Sequence, residues 1–193
     1  MQTDPNKFRF AVLTGIILSA ALFRVLPHPP NFTPIAAIAL FGGSQFADKR
    51  TAFLVPLTSM LLSDLVLGLH VMQLVIYGCF ALIVCLGLRL RSRRTIRRII
   101  ISALAGSLLF FLFTNFAVWS ATAMYPKNLG GLTQCYVAAL PFLQNTLSGD
   151  LFFNAVLFGS LALMEWRLPR LRETCVSLTR CQSHALPMER SAG

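Results

Sequence analysis

Apolar residues fill six stretches of the chain, and short polar or basic segments separate them. A helix needs about 20 residues to cross the roughly 30 Å apolar core of a bilayer. Five stretches approach that length, and the second is shorter. The pattern predicts an all-α integral membrane protein with six transmembrane helices, over residues 8–26, 33–47, 51–68, 71–90, 97–123 and 149–167.

Two further segments complete the predicted organisation. Residues 135–147 are apolar but too short to span, and Pro141 interrupts them, which favours a short helix or a re-entrant segment before the last span. A single membrane domain over residues 1–170 then precedes a basic, flexible cytoplasmic tail over residues 171–193.

The first stretch has the charge of a signal peptide, but its apolar run continues to Leu26, which favours an uncleaved span.

The composition is that of a membrane protein. Hydrophobic residues make up 55% of the 193 residues and charged residues only 12%, which is about half the charged share of a soluble domain. The formal net charge is +10. Because the basic residues lie beside the apolar stretches, they indicate membrane topology and argue against nucleic-acid binding.

The basic residues also predict the orientation of the helices. Cytoplasmic segments of membrane proteins carry an excess of Lys and Arg. With the N- and C-termini in the cytoplasm, 15 of the 17 basic residues lie on that side, and the exceptions are Arg24 and Lys127. The connections at residues 26–34, around His70 and at 125–148 then face outside.

The first outer connection, LPHPPNFTP at residues 26–34, contains four prolines. Proline fixes φ and removes a backbone donor, so this loop keeps its shape without internal hydrogen bonds. A stiff turn between two helices explains the prolines but does not require His28 and Asn31. We therefore interpret the segment as a preshaped loop that lines or covers a ligand pocket.

Polar residues inside the predicted spans concentrate near the outer side. Such residues are costly in a bilayer and usually face the bundle interior or a wet cavity. The inner half has almost none apart from Glu165. The asymmetry predicts a polar cavity open to the outside, although each group can instead bond to a neighbouring helix. The outer set comprises Asp64, Tyr77, Cys79, Asn115, Trp119, Asp150 and Asn154.

No enzyme motif and no ATP-binding motif occurs in the chain. Asp64 and Asp150 leave open an acid–base enzyme, although nothing in their spacing requires it. In the tail, Cys175, Cys181 and His184 fit no common zinc-binding spacing.

A stripe of small residues follows the first predicted span. Ala11, Gly15 and Ser19 are each four residues apart and therefore share one helix face. Small residues at this spacing let two helices approach closely. The stripe indicates either packing inside the bundle or a docking face for a partner membrane protein.

Four stretches resemble a known family of transport proteins: RVLPHPPNFTPIAAIALFGG, LLSDLVLGLH, FTNFAVW and PFLQNTLSGDLFFN. Together with the six spans, they make residues 8–167 similar to the BtuM-like solitary cobalamin transporters, a family related to the S-components of energy-coupling factor (ECF) transporters. The resemblance implies a multi-pass protein of a bacterial cytoplasmic (inner) membrane that binds cobalamin from outside and carries it inward. It also implies that the small-residue stripe can dock an ECF module.

The resemblance gives a specific role to Cys79, in the stretch VIYGCFAL. BtuM-like proteins present a cysteine in the fourth span that can coordinate the cobalt of the corrinoid. Thiolate is a soft ligand suited to transition metals, and its binding would displace a weaker axial ligand, so that cyanocobalamin would lose its cyanide. The ordinary alternative is a small buried hydrophobe, and we assign that role to Cys85.

The same resemblance implies a pocket built from the outer loops and the outer halves of the later spans. Phe32, Phe142 and Phe152 are candidates for its aromatic walls. Three alternatives remain open: uptake of another vitamin or small ligand, a membrane enzyme, and a structural subunit that only docks partners. The implied polar pocket or loop residues are His28, Asn31, Asp64, His70, Tyr77, Asn115, Trp119, Asn145, Asp150 and Asn154.

Overall fold

The computed structural model describes residues 5–68 and 72–172, and these residues form helices and no strand. The predicted tail from residue 173 onward, with its two cysteines and His184, lies outside the described residues, as does His70. Two single-turn 3-10 helices follow α1 and α6, at Phe23–Val25 and Pro169–Leu171. The α-helices are α1 (Pro5–Leu22), α2 (Ile35–Gln45), α3 (Lys49–Leu67), α4 (Gln73–Leu90), α5 (Ile96–Ala121) and α6 (Leu129–Arg167).

Five of these helices, all except α2, are long and apolar enough to cross a membrane. The expectation of an all-helical membrane protein is therefore confirmed. The predicted second span instead forms an 11-residue helix, which is about 16 Å long at 1.5 Å per residue and does not cross a bilayer core alone. The prolines of residues 27–34 delay its start, because proline cannot donate the backbone bonds of a continuing helix.

The last helix is longer than the sequence pattern indicates. Residues 135–147 do not form a separate segment, because α6 runs through them and through Pro141 over 39 residues. A proline removes one backbone hydrogen bond, and membrane helices tolerate that loss because neighbouring groups satisfy the freed carbonyl. Asn128 caps the start of the helix, because its side-chain oxygen accepts a 2.8 Å hydrogen bond from the Gly131 amide.

The short helix α2 forms the centre of the bundle, and ten of its eleven residues are buried. Glycines let it touch its neighbours through backbone atoms. A Cβ atom at Gly43 would lie 2.3 Å from the carbonyl oxygen of Val84, and one at Gly87 would lie 2.5 Å from that of Leu40. Both distances are shorter than van der Waals contact, so the α2–α4 packing requires glycine at both positions.

Polar contacts close the end of the bundle at which α1 begins and α6 ends, here called the basic end. Arg9 donates to Glu165 at 2.8 Å, to Gln45 at 3.1 Å and to the carbonyl oxygen of Leu171. Arg94 donates to the same Gln45 oxygen at 3.0 Å. The expectation that this half of the bundle has almost no polar groups is therefore wrong, because a buried arginine joins α1, α2 and α6 there.

Candidate functional site

Two adjoining cavities lie at the opposite end of the bundle, here called the distal end, between the loop at residues 26–34 and helices α4, α5 and α6. The larger has a volume of about 360 Å³ and the smaller about 230 Å³. Their linings share Asn31, Met72, Ile76, Phe110 and Thr146, so the two cavities are neighbours. The polar lining of the larger one comprises Arg24, Asn31, Thr33, Asp64, Gln73, Thr146 and Asp150.

An ion pair forms one wall of the larger cavity. Arg24, just after α1, lies 2.7 Å from Asp64 near the end of α3, and it also donates to the Ser63 hydroxyl at 2.5 Å. The other carboxylate oxygen accepts a 2.8 Å bond from the Tyr77 hydroxyl and a bond from the Gln73 amide, both on α4. Asp64 is 2% exposed, so these contacts compensate a buried charge.

A second buried carboxyl group, Asp150, lines the same cavity from α6. Its Oδ2 atom lies 2.5 Å from the Ser107 hydroxyl of α5. Among the described residues, no cationic side chain lies within ion-pair distance of it. One turn further along α6, the amide group of Asn154 donates to the Asp150 backbone carbonyl at 2.7 Å, while its Oδ1 atom is buried without a hydrogen-bond partner.

The proline-rich loop is docked onto α6 and has a defined shape. Asn31 has φ of 64°, in the left-handed region that asparagine tolerates better than most residues. The side chain of Asn145 donates to the Pro30 carbonyl at 3.0 Å. The Phe32 ring packs 5.9 Å from Phe152 and 5.5 Å from Phe153. These contacts hold the loop over the cavities, as the proline content suggests.

The smaller cavity contains other residues that the sequence singled out. Asn115 and Phe142 line it from α5 and α6. The Asn115 amide donates to the Phe111 carbonyl one turn earlier at 2.8 Å, which leaves its side-chain oxygen available. Of the polar groups singled out on α5 and α6, Asn115 thus lines the smaller cavity and Asp150 the larger, whereas Trp119 and Asn154 line neither.

Three candidate residues lie elsewhere at the distal end. His28 bonds through Nδ1 to the Leu26 carbonyl at 2.6 Å, and its ring centroid lies 6.1 Å from that of Phe23. Trp119 donates to the Pro126 carbonyl at 2.9 Å, at the turn between α5 and α6, and lines neither of these two cavities. Tyr77 lines neither cavity, and its hydroxyl donates a 2.8 Å hydrogen bond to the Asp64 carboxylate.

Cys79 lies on α4, where it is 2% exposed. Its neighbours along the helix, Ile76 and Phe80, both line the larger cavity, but Cys79 itself is not part of either lining. Cys85 is exposed on the same helix. In the described part of the chain, no three His, Cys, Asp or Glu side chains cluster as a metal site, so a metal held by Cys79 would need its other ligands from the bound molecule.

Sequence reasoning missed Arg24, Gln73, Ser107 and Thr146 as site residues. Arg24 did carry a signal, because it is a basic residue inside an apolar stretch on the side that has few of them. Ser107 carried none, since a serine between apolar residues of a membrane helix usually bonds to its own backbone.

The small-residue stripe of α1 faces away from the bundle. Ala11, Gly15 and Ser19 are all exposed, and a Cβ atom at Gly15 would meet no other atom within 4 Å. The Ser19 hydroxyl donates to the Gly15 carbonyl at 2.8 Å. The stripe is therefore not used for packing within the described chain.

Comparison with known proteins places the chain in a family without giving it an activity. No curated protein and no solved structure matches it. One family model matches residues 5–171, which includes all six α-helices and both 3-10 helices. The chain therefore belongs to the family of unknown function DUF6580.

Proposed function

We propose that this protein is a membrane uptake protein that binds a small ligand in the two distal cavities and carries it across the bilayer. The observation that supports the proposal is the set of buried polar groups around the larger cavity, led by Asp64 and Asp150. Polar groups at membrane depth are costly and commonly mark ligand or ion pathways. A membrane enzyme is favoured less, because the Asp64 carboxylate is already engaged by Arg24.

The proposed orientation places the basic end in the cytoplasm of a bacterium and the distal end outside. The arginines of the segment at residues 89–98 then lie on the cytoplasmic side, in agreement with the distribution of basic residues in membrane proteins. The loop at residues 26–34 and α2 together make the second of six crossings. Both termini are then cytoplasmic.

The proposed ligand is cobalamin, and this assignment rests on the resemblance to BtuM-like transporters. Cys79 would bind the cobalt of cyanocobalamin through its sulfur. The cobalt–sulfur bond forms, the cobalt–carbon bond to cyanide breaks, and the cyanide leaves with its electron pair and takes up the thiol proton. No oxidant or reductant is needed.

The size of the ligand sets a condition on this proposal. Pockets of about 300–1,000 Å³ hold drug-sized molecules, and a corrinoid is larger than those. The larger cavity has a volume of about 360 Å³. Cobalamin binding therefore requires the loop at residues 26–34 to separate from α6, and it requires the widened cavity to reach Cys79 on α4.

Absorption spectroscopy of purified protein with cyanocobalamin tests the proposal. The corrinoid spectrum should shift on binding to the parent protein and to Cys85→Ala, a matched control with a thiol lost from the same helix. It should not shift with Cys79→Ala. An equal shift in all three proteins keeps cobalamin as the ligand but removes Cys79 from the metal, whereas no bound corrinoid in any of them refutes the cobalamin assignment and leaves another vitamin as the candidate.

The partner proposed with this function is an ECF module that supplies ATP hydrolysis, for which the chain has no motif of its own. The exposed face formed by Ala11, Gly15 and Ser19 is the proposed docking surface, because small residues let a partner helix approach closely. Replacing Gly15 with leucine should abolish co-purification with such a module. Unchanged co-purification would place the contact elsewhere.

A further inference from the structure

The hydrogen bonds around Ser107 carry information about the protonation of Asp150. The Ser107 hydroxyl has one proton and two acceptors within reach, the Ala103 carbonyl at 3.0 Å and the Asp150 carboxyl at 2.5 Å. A hydroxyl can donate only once but can also accept. Both contacts are full hydrogen bonds at the same time if Asp150 carries a proton and donates it to Ser107, which then donates to Ala103. With an ionised Asp150, the two acceptors share the single hydroxyl proton.

The charged surroundings favour the same protonation state. Arg24, the cation that lines the cavity, is paired with Asp64 at 2.7 Å. Among the described residues, the other titratable groups beside the cavity are Tyr77, which bonds to Asp64, and the buried Cys79. Further groups at the distal end, each with a carbonyl partner, are His28, Lys127, Cys135 and Tyr136. Tyr125 lies in the turn between α5 and α6. Helix α2 and the distal half of α5 contribute no ionisable side chain. An ionised Asp150 would be a buried charge with no counter-ion in the described part of the chain, which is far more costly than a neutral acid.

A free acceptor lies next to Asp150 on the side toward the basic end. Asn154 is one helical turn further along α6 and is 3% exposed, and its Oδ1 atom has no hydrogen-bond partner. Buried polar atoms are rarely left unpaired. This oxygen can accept a hydrogen bond from a protonated group or a water molecule on the path from the cavity floor toward the basic end.

From these contacts we propose that Asp150 is a proton-binding group, protonated in the empty protein, whose proton moves inward with the ligand. The coupling to the ligand rests on the uptake function proposed above, whereas the bound proton does not. Buried carboxyl groups in membrane spans serve as proton relays in pumps and transporters. The inference identifies a proton gradient as a source of energy that this chain can use when no ECF module is docked.

Infrared spectroscopy of the purified, ligand-free protein tests the bound proton. A carbonyl band of a protonated carboxyl group should persist at neutral pH, well above the value of about 4 at which an exposed aspartate ionises. Asp150→Asn should lose this band, and Ser107→Ala should shift it, because the hydrogen-bond acceptor is gone. Absence of the band from the parent protein at neutral pH, or its persistence in Asp150→Asn, overturns the assignment.

Uptake of cyanocobalamin into vesicles that contain the purified protein tests the coupling. With one proton carried per ligand, an external pH one unit below the internal pH should give about tenfold accumulation. A protonophore should abolish this accumulation, and Asp150→Asn should lack it. Accumulation that is the same with and without the pH gradient overturns the coupling. If cyanocobalamin does not bind at all, the proposed function fails, while the infrared band still decides whether Asp150 holds a proton.

Discussion

The ion pair between Arg24 and Asp64 should be the most sensitive polar contact of the distal end. Breaking a buried pair by removing one partner costs about 3–5 kcal/mol, because the other charge stays buried and uncompensated. The side chains are 12% and 3% exposed, respectively. Asp64 keeps its bonds from Gln73 and Tyr77 when Arg24 is lost. We therefore expect a cost near the lower limit, about 3 kcal/mol for Arg24→Met.

A double-mutant cycle tests this reasoning. Asp64→Asn keeps the shape of the side chain and should cost about as much as Arg24→Met, because it leaves the arginine unpaired. The double variant should lose about as much stability as one single variant, since it removes both charges together. The free energy of unfolding can be measured in mild detergent by titration with a denaturing detergent.

The matched control is Arg98→Met, which removes an exposed arginine at the start of α5 and should change stability by no more than about 0.5 kcal/mol. If the costs of the two single variants add up in the double variant, the two side chains do not interact. That result would refute the role of the pair. A cost for Arg98→Met as large as that for Arg24→Met would show a general effect of arginine loss.

Three further variants test other parts of the structure. Gly43→Ala should lower the free energy of unfolding by about 1–3 kcal/mol, because the new methyl group meets backbone atoms of α4. Gly15→Ala places its methyl group in open space and should raise the free energy of unfolding by about 0.5–1 kcal/mol. Equal effects of the two variants would contradict the α2–α4 packing. Asn145→Ala should speed hydrogen exchange of residues 26–34 about fivefold through the loss of about 1 kcal/mol, and the exposed neighbour Gln144→Ala should leave it unchanged. Arg9→Met should destabilise the protein by about 1–3 kcal/mol in the same unfolding assay, and an unchanged midpoint would remove the basic-end contacts from the stability of the fold.

Long apolar runs were sufficient to predict most of the helices. The run at residues 97–123 corresponds to α5 at Ile96–Ala121, and the run at 71–90 corresponds to α4 at Gln73–Leu90. Hydropathy reports how apolar a segment is but not what covers it. For that reason residues 33–47 resembled a span, although they form a short helix enclosed by other helices.

The candidate site was predictable only in part, because its charges are balanced between distant segments. The position of Asp64 near the outer end of a span was visible in the sequence, and the structure places it in the cavity lining. Its pairing with Arg24 was not visible, since 39 residues separate the two and no local spacing connects them. The long α6 was missed because Pro141 and the polar residues after it resemble a break, which the surrounding helices tolerate.

The glycine contact between α2 and α4 limits the ways in which the bundle can open. Side chains at a helix interface can change rotamer and let two helices slide, but Gly43 and Gly87 contact the opposing helix with main-chain atoms only. Such a contact separates as a whole or stays intact. The two helices therefore move as one rigid unit, and widening of the cavities falls to α5, α6 and the loop at residues 26–34. Side chains make several of the contacts that join these three elements, among them Ser107 with Asp150 and Asn145 with Pro30.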